Sequence, residues 1–413
     1  MKIAFFLNEF PATSETFILN QIVGLIQRGH ELDIHARWRV ERSNKGQHAD
    51  IERYRLLDRA HFYPMPGPRF VRVGSALGRL ARWGWRHPEI TLDSINVLRH
   101  GRLALNLTLL HELLPALEGP LRYDVIHCHF GPNGQRATVW KAFGALRGPV
   151  ITTFHGYDVN QLPRIEGPHL YQRLFNEGEL FTAGSEFITR RLIALGAPKD
   201  RIVRLPMGVD LSRFRFTERT KNHDGELRLL TVARLVKVKG IEYALHAVAL
   251  LKNKYLGVRY QIAGDGPLRA ELEGLADRLG LAHQVEFLGA LPQESVIELY
   301  QHAQIFVLPS IVTELGEEEN QSVALAEAQA SGLPVIGTRI GGNHESIREG
   351  ESGLLVPPGD SSELARAIER LAEHPKAWSQ MGRVGRTYVE EHFNLERLND
   401  QLVDLYRTIA PSG

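Results

Sequence analysis

Short, mostly apolar runs alternate with longer amphipathic stretches along the chain. The runs predict strands of parallel sheets buried on both faces, and the stretches between them predict helices. Because strand and helix alternate in both halves, the pattern predicts an α/β protein with two doubly wound, Rossmann-like sheets facing a cleft. The predicted strands lie at residues 2–7, 32–36, 124–130, 149–154, 181–185, 227–232, 260–263, 285–288, 303–308 and 335–337.

The length of 413 residues allows two or three domains, each with its own core. A polar stretch at residues 212–226 separates the two sets of predicted strands and suggests a linker. We therefore predict a first domain at residues 1–210 and a second at residues 211–390, followed by a helical segment at residues 391–413.

The charge balance and the cysteine content exclude several classes of protein. The chain carries 49 basic and 48 acidic residues, so any attraction to phosphate or to a membrane must come from local patches. We therefore expect no nucleic acid as a partner. The single cysteine, Cys128, excludes a disulfide framework, a cysteine-based zinc site and an iron–sulfur cluster.

The apolar runs and the residues after the first strand indicate where the protein is located and which cofactor it does not bind. The apolar run at residues 1–7 is too short for a signal peptide, and no run approaches the ~18 apolar residues of a transmembrane helix. We therefore expect a cytoplasmic protein. Residues 8–16, which follow the first strand, contain no glycine, and this argues against a dinucleotide-binding oxidoreductase.

One stretch, residues 309–358, has the features of a ligand-binding edge. A buried strand ends at Pro309, an acidic loop follows, and a helix begins near Ser322, where unpaired N–H groups and the helix dipole favour a phosphate. Glu327, one turn along, can accept hydrogen bonds from two vicinal hydroxyls, and Glu319 can hold further hydroxyls or a developing positive charge. The alternative is an exposed acidic loop beside a solvated helix face.

Charged residues at other strand ends are further candidates. Arg234 and Lys239 flank a turn before a helix, where two cations can neutralise a diphosphate, although both could equally be ordinary surface charges. His155 follows a predicted strand and begins a short loop that ends at the acidic Asp158. Such a loop is typical of a site, although a histidine at a strand end can also belong to the core.

The first domain offers two more positions with open interpretations. Ser14 could cap a helix that begins near Glu15, or it could contact an acceptor or a phosphate. His127 and His129 share one face of a predicted strand because side chains alternate with a period of two. A metal site there is conceivable, but no third ligand lies nearby in the sequence.

Residues 69–87 form a basic amphipathic pattern unlike their surroundings. Arginines and apolar residues alternate there at a helical period. The arginines are at positions 69, 72, 79, 82 and 86, and the apolar residues are Phe70, Val73, Leu77, Leu80 and Trp83 or Trp85. Such a helix can lie on an anionic membrane, or it can pack on its own domain with its arginines in water.

The spacing of Glu319 and Glu327 resembles the E-x7-E motif of the retaining, metal-independent GT-B glycosyltransferases of family 4. Residues 10–18 (FPATSETFI) and 124–131 (DVIHCHFG) are similar to the exopolysaccharide branch of that family, the colanic-acid and amylovoran type. The chain departs from the family at residues 319–322, which read ENQS instead of E-G-x-P, and at the sequence GGNHE, where G-G-x-P-E is usual. Both changes keep the charged positions and leave the identity of the sugar open.

The resemblance implies transfer of a sugar from a UDP- or GDP-sugar to a lipid-linked or soluble glycan acceptor, with retention of configuration and without cofactor or metal. It implies that the donor is bound by Arg234, Lys239, Gly264, Gly289, Val323 and Glu327. It assigns catalysis to His155, Glu319, Arg234 and Lys239. It assigns the acceptor side to Ser14, Glu15, Thr16, His129 and Asp158. It also implies that the last helix, residues 395–409, returns to the first domain.

Two other functions are compatible with parts of the same pattern. A nucleotide-sugar epimerase or a phosphorylase can share the two-domain fold, although no pyridoxal-type lysine is identifiable here. Outside the enzymes, the alternative is a non-catalytic two-domain sugar-binding protein, and such proteins are usually exported. Transfer to an added acceptor would distinguish these possibilities.

Overall fold

A computed structural model describes residues 1–12, 15–40, 48–64, 67–100, 102–116, 119–221, 225–254 and 257–411. In this part of the chain two α/β domains are each built on a parallel sheet. The strands of the first sheet lie between residues 2 and 204, and those of the second between residues 227 and 356. The domain boundary near Asp210 falls in the interval between them and stays a prediction.

The first sheet is parallel throughout. Its strands are β1 (Lys2–Phe10), β2 (Glu31–Arg39), β3 (Ala60–Phe62), β5 (Val125–His129), β7 (Val150–Phe154), β8 (Leu180–Ala183) and β9 (Ile202–Arg204), and a separate pair is β4 (Leu121–Arg122) with β6 (Leu146–Arg147). Their order in the sheet is β3-β2-β1-β5-β7-β8-β9. Every residue of β5 and β7 is buried, as expected of central strands covered on both faces.

The helices of the first domain cover both faces of this sheet. They are α1 (Thr16–Gln27), α2 (Asp50–Arg53), α3 (Arg69–Arg79), α4 (Pro88–Ser94), α5 (Val97–His100), α6 (Arg102–Leu105), α7 (Thr108–Ala116), α8 (Gly131–Ala142), α9 (Tyr157–Asn160), α10 (Leu162–Glu166), α11 (Gln172–Glu177) and α12 (Glu186–Ala194). The Ser185 hydroxyl accepts a hydrogen bond from the N–H of Ile188 and caps α12.

The second domain repeats the architecture with a sheet of its own. Its strands are β10 (Leu227–Val232), β11 (Val258–Ala263), β12 (Val285–Gly289), β13 (Ile305–Leu308), β14 (Val335–Thr338) and β15 (Gly353–Val356), and its helices are α13 (Ile241–Leu251), α14 (Arg269–Arg278), α15 (Gln293–His302), α16 (Val323–Ala330), α17 (Ser361–Glu373) and α18 (Lys376–His392). The strand order is β12-β11-β10-β13-β14-β15, so the chain adds β11 and β12 on one side of β10 and the later strands on the other side. Ligands of open α/β sheets bind where the strand order reverses in this way, outside the carboxyl ends of the strands.

The last helix, α19 (Leu395–Ile409), packs against the first domain, as the family resemblance implied. Its residues Leu402 and Tyr406 are buried in the same core as Ile3 and Ile22. The guanidinium of Arg28, directly after α1, pairs with two carboxylates of α19 at 2.8 and 2.9 Å. The chain therefore crosses between the domains twice.

The first strands are longer than the sequence pattern predicted. The parallel pairing of β1 with β2 continues through Glu9 with Trp38 and through Phe10 with Arg39. The region between residues 37 and 68, where the sequence predicted no strand, also contains the edge strand β3. These segments lack an apolar run because their side chains are partly exposed, so hydrophobicity does not mark them.

Helix α3 confirms the helix predicted from the basic amphipathic pattern, and a π-helical turn follows it at Leu80–Gly84. Most apolar side chains of α3 face solvent, since Phe70 is 78% exposed and Leu77 62%, and Trp85, directly after the π-helical turn, is 70% exposed. The alternative in which this amphipathic segment packs its apolar residues on its own domain is therefore wrong for Trp85, and the Trp83 side chain lies outside the described part. Among the described residues, no helix combines the length and hydropathy needed to cross a bilayer.

Candidate active site

A cleft of about 1060 Å³ lies between the two domains, at the carboxyl ends of both sheets. Its walls come from the segments after β1 and β7 in the first domain and from the segments after β10, β11, β12 and β13 in the second. Nine of the site residues implied by the family resemblance line it: Glu15, Thr16, His155, Arg234, Lys239, Gly264, Glu319, Val323 and Glu327.

Arg234 and Lys239, the two cations predicted to bind a diphosphate, follow the end of β10. The side chain of Arg234 is exposed to the cleft, and Lys239 closes the 3-10 turn that precedes α13. The Lys239 ammonium lies 2.5 Å from a carboxylate oxygen of Glu319, and the Ser310 hydroxyl lies 3.4 Å from the same oxygen. The first acidic residue of the E-x7-E spacing is therefore paired with a cation.

The start of α16 faces the cleft. Ser322 occupies the N-cap position, yet its hydroxyl makes no capping hydrogen bond to the helix. Ser322, Val323 and Ala324 all line the cleft. Backbone N–H groups of the first turn, together with the helix dipole, are therefore placed to bind an anion beside Arg234 and Lys239.

Glu327 lies one turn further along α16, at the back of the cleft. The Tyr300 hydroxyl donates a hydrogen bond of 2.9 Å to its carboxylate. Burial raises the pKa of Glu327 to about 7, although the bond from Tyr300 and the positive charge of Arg213 act in the opposite direction. A half-buried carboxylate with remaining lone pairs can accept hydrogen bonds from ligand hydroxyls.

Of the two glycines predicted to bind the donor, Gly264 lines the cleft and Gly289 does not. Gly264, after β11, has a φ of +138°, and a Cβ there would lie 1.9 Å from the carbonyl oxygen of Ala233, so only glycine fits. Its N–H donates a 2.8 Å hydrogen bond to the carbonyl of Gly289. Gly289 itself does not line the cleft, whereas the following Ala290 and Leu291 do.

His155 directly follows β7 and lies on the first-domain wall of the cleft. Its ring packs against Phe17 and Phe130, with centroids 4.9 and 4.4 Å away, and its Nε2 lies 3.0 Å from Nδ1 of His129. Burial lowers the pKa of His155 to about 3. The imidazole is therefore neutral at physiological pH and can hydrogen-bond a sugar hydroxyl without adding positive charge.

His129 and Asp158, assigned to the acceptor side from the resemblance, lie behind the cleft wall and are fully buried. Asp158 accepts hydrogen bonds of 2.9 to 3.0 Å from the backbone N–H groups of Gly131, His155 and Gly156. It therefore holds the ends of β5 and β7 together. His129 stacks between His127 and His155, at centroid distances of 4.5 and 5.3 Å. Both residues support the loop that presents His155 and do not reach the cleft.

The start of α1 contributes the remaining acceptor-side residues. Glu15 and Thr16 line the cleft, whereas Ser14 lies outside the described residues. Burial and, to a smaller extent, the negative charge of Glu9 raise the pKa of Glu15 to about 7, although the positive charge of Arg234 acts in the opposite direction. Glu9 also lines the cleft, and we missed it because the predicted first strand ended at residue 7.

Two family models match the chain in succession. Residues 14–213 match the model described as Glycosyltransferase Family 4, and residues 212–388 match the model described as Glycosyl transferases group 1. A protein of Salmonella typhimurium assigned to colanic acid biosynthesis as glycosyltransferase WcaL is 34% identical over 422 residues, which cover 99% of this chain and 100% of that protein. The chain belongs to the family 4, group 1 glycosyltransferases.

This glycosyltransferase is also similar to the amylovoran biosynthesis glycosyltransferase AmsK of Erwinia amylovora, with 33% identity over 415 residues that cover 99% of this chain and 100% of AmsK. Among solved structures, Anabaena Alr3699/HepE in complex with UDP superposes with a TM-score of 0.72 at 17% identity, covering 99% of this chain and 100% of that one. Sucrose-phosphate synthase from Thermosynechococcus elongatus gives 0.69 at 20%, covering 99% and 98%. These structures confirm the GT-B fold.

Proposed function

We propose that this glycosyltransferase transfers a sugar from a nucleoside diphosphate sugar to a lipid-linked glycan acceptor, with retention of anomeric configuration, in the synthesis of an exopolysaccharide. One observation supports the proposal that the donor is a nucleoside diphosphate sugar. Two cations, the start of α16 and two glutamates converge on one wall of the cleft and face a neutral histidine on the other. The names of the relatives, colanic acid and amylovoran glycosyltransferases, support the exopolysaccharide part.

In this proposal the second domain binds the donor. Arg234, Lys239 and the N–H groups at the start of α16 bind the diphosphate, where negative charge grows as the sugar departs. Glu327 holds the ribose hydroxyls, and Glu319 with His155 orients the sugar. The uracil or guanine base lies beyond Gly264, near Ala290 and Leu291.

The reaction is proposed as a same-face displacement. The bond from the anomeric carbon to the diphosphate oxygen breaks, and the bond to the acceptor oxygen forms on the same face. The acceptor proton passes to the departing diphosphate. A double displacement through a protein carboxylate is disfavoured, because Glu327 already accepts from Tyr300 and is assigned to the ribose, while Glu319 is paired with Lys239.

A panel of UDP- and GDP-sugars, screened by the rise in melting temperature, identifies the donor. The selected sugar nucleotide is then incubated with acceptor glycans, and the anomeric configuration of the product is read by NMR. Transfer with retention supports the proposal. Interconversion of sugar nucleotides without acceptor would indicate an epimerase, and binding without turnover would indicate a sugar-binding protein.

Activity should survive EDTA. The charge of the leaving diphosphate is assigned to Arg234, Lys239 and the α16 N–H groups, so no divalent ion is needed to neutralise it. Turnover is measured in EDTA and after readdition of Mg²⁺ or Mn²⁺. Complete loss in EDTA that either ion restores would overturn this assignment of the diphosphate charge.

The proposed acceptor is lipid-linked, so the enzyme must reach a membrane surface, and the first domain has a suitable face. Large apolar side chains are exposed on α3, α4, α5 and α6 and on the turn after α3. We call these residues the exposed apolar surface: Phe70, Leu77, Trp85, Leu92, Leu98 and Leu105. Arginines of the same segment, including the exposed Arg82 and Arg86, add about 1 kcal/mol each near an anionic surface.

We expect the protein to sediment with vesicles that contain phosphatidylglycerol at low salt and to be released at high salt. Changing Phe70, Leu77 and Trp85 together to Ser should abolish sedimentation without lowering the melting temperature, because these side chains are exposed. Leu250→Ser, on an exposed leucine of α13 in the second domain, is the control and should sediment like wild type. A wild type that stays in the supernatant at low salt would remove the membrane from the proposal.

A further inference from the structure

The loop that carries Glu319 belongs to the second domain, yet its neighbouring residues bind the first domain. Gln321 makes two hydrogen bonds to Met207, just after β9: its Oε1 accepts from the backbone N–H at 2.8 Å, and its Nε2 donates to the carbonyl at 2.9 Å. Asn320 accepts a 2.5 Å hydrogen bond from the hydroxyl of Ser185, at the start of α12. Both amides are buried, with 4% and 6% exposure.

Glu318, on the other side of Glu319, also contacts the first domain, through an ion pair of 3.1 Å with Arg191 of α12. Glu319 is thus flanked on both sides by residues whose side chains are anchored across the domain interface. Its own carboxylate turns the other way, toward Lys239 in the second domain. The position of this carboxylate therefore depends on contacts to both domains.

The second domain supports the same loop from behind. The N–H of Gly342 donates a 3.1 Å hydrogen bond to the carbonyl of Glu319. A Cβ on Gly341 would lie 1.7 Å from that carbonyl oxygen, so the turn after β14 packs directly on the backbone of the loop. Nearby, the Glu345 carboxylate accepts from the N–H groups of Glu186 and Phe187 at 2.9 and 3.0 Å, which adds a second bridge to the start of α12.

We propose that Asn320 and Gln321 are positioning residues that hold Glu319 in its sugar-binding place only while the two domains are in contact. This inference rests on the proposed role of Glu319 toward the donor sugar. Asn320 stands where the chain departs from the E-G-x-P pattern, in which the glycine after the glutamate has no side chain to reach across, and Gln321 occupies the variable position of that pattern. In this chain, opening of the cleft breaks the amide contacts and releases the loop.

The contacts made by Gln321 can be removed at nearly constant volume. Gln321→Met deletes both hydrogen bonds to Met207 and keeps an unbranched side chain of similar size. The matched control is Gln304→Met. Gln304 is also buried and makes two backbone hydrogen bonds, accepting from the N–H of Arg228 at 2.9 Å and donating to the carbonyl of Thr220 at 3.2 Å, but it lies beside β13 and away from the cleft.

The proposal predicts that loss of the Gln321 contacts lowers kcat but leaves nucleotide binding unchanged. Gln321→Met should lower kcat for release of nucleoside diphosphate from the donor sugar nucleotide by at least about tenfold, while the Kd values for UDP and GDP stay within about twofold, because only the sugar contact is lost. Gln304→Met should leave kcat and both Kd values close to wild type. An unchanged kcat in Gln321→Met, a fall equal to that of Gln304→Met, or a parallel loss of nucleotide binding would each overturn the positioning role.

Hydrogen exchange gives a readout that does not depend on turnover. The amide of Gly342 reports the place of Glu319 because it donates to the Glu319 carbonyl. It should exchange faster in Gln321→Met than in wild type and remain unchanged in Gln304→Met. Equal exchange in all three proteins would overturn the proposal, whereas a wild type that releases no nucleoside diphosphate but shows the exchange difference would contradict only the proposed function.

Discussion

Lys239→Met is expected to reduce kcat for sugar transfer by about 100- to 1000-fold, the range observed when a positioned donor to a developing negative charge is removed. Lys239 lies at the cleft beside the start of α16, where the diphosphate is proposed to depart. The same change leaves the Glu319 carboxylate without its cation. The measurement is kcat with the donor identified by the thermal screen.

The same 3-10 turn supplies the control. Lys237, two residues earlier, points away from the cleft and pairs with Glu242 at 2.8 Å on the exposed surface. Lys237→Met should therefore keep wild-type kcat. If both substitutions lowered activity equally, the effect would belong to the stability of the turn, and the assignment of Lys239 to the leaving group would be wrong.

Glu327→Ala is expected to weaken binding of the nucleoside diphosphate at least about tenfold, since hydrogen bonds to a charged group contribute roughly 1.5–3 kcal/mol each. Glu298→Ala, on the exposed face of the neighbouring α15, should bind like wild type. Calorimetry with UDP and GDP provides the measurement. Unchanged binding by Glu327→Ala would remove this residue from the ribose site.

The pKa of Glu327 adds a pH dependence to the same prediction. Because its folded pKa is about 7, binding that needs the carboxylate should tighten as pH rises from about 6 to 8. Glu327→Gln should lose this dependence. The sign for stability is opposite: the raised pKa makes the folded state bind more protons than the unfolded state between the ordinary value of 4.5 and about 7, so the free energy of unfolding falls as pH rises through that window.

The sequence predicted best those site residues that are close together along the chain. Glu319 and Glu327 are separated by one loop and the first turn of a helix, and Arg234 and Lys239 by one turn, so local patterns place each pair on one wall. The strand period also predicted correctly that His127 and His129 share a face. It could not show that this face is covered, because the His127 partner Tyr406 lies 279 positions away.

The contacts of Asn320 and Gln321 were equally inaccessible to sequence patterns. Their partners, Ser185 and Met207, lie 135 and 114 residues earlier in a different domain. In the sequence only Asn320 was marked, by its departure from the glycine of the family pattern, whereas Gln321 occupies a variable position. For α3, the helical period of the apolar residues was visible, but periodicity does not tell whether the apolar face meets the core or solvent, and Phe70 and Leu77 turned out to face solvent.

The return of α19 to the first domain has a consequence for biosynthesis. Ribosomes make the first sheet early, yet the partner of His127 and part of the core around Ile3 and Ile22 come from α19, which is made after both sheets. Part of the apolar core of the nascent first domain therefore stays uncovered until the second domain and α19 have been translated. A chain that ends before α19 would leave His127 without its hydrogen bond to Tyr406 and part of the core around Ile3 and Ile22 uncovered, so we expect such a chain to aggregate.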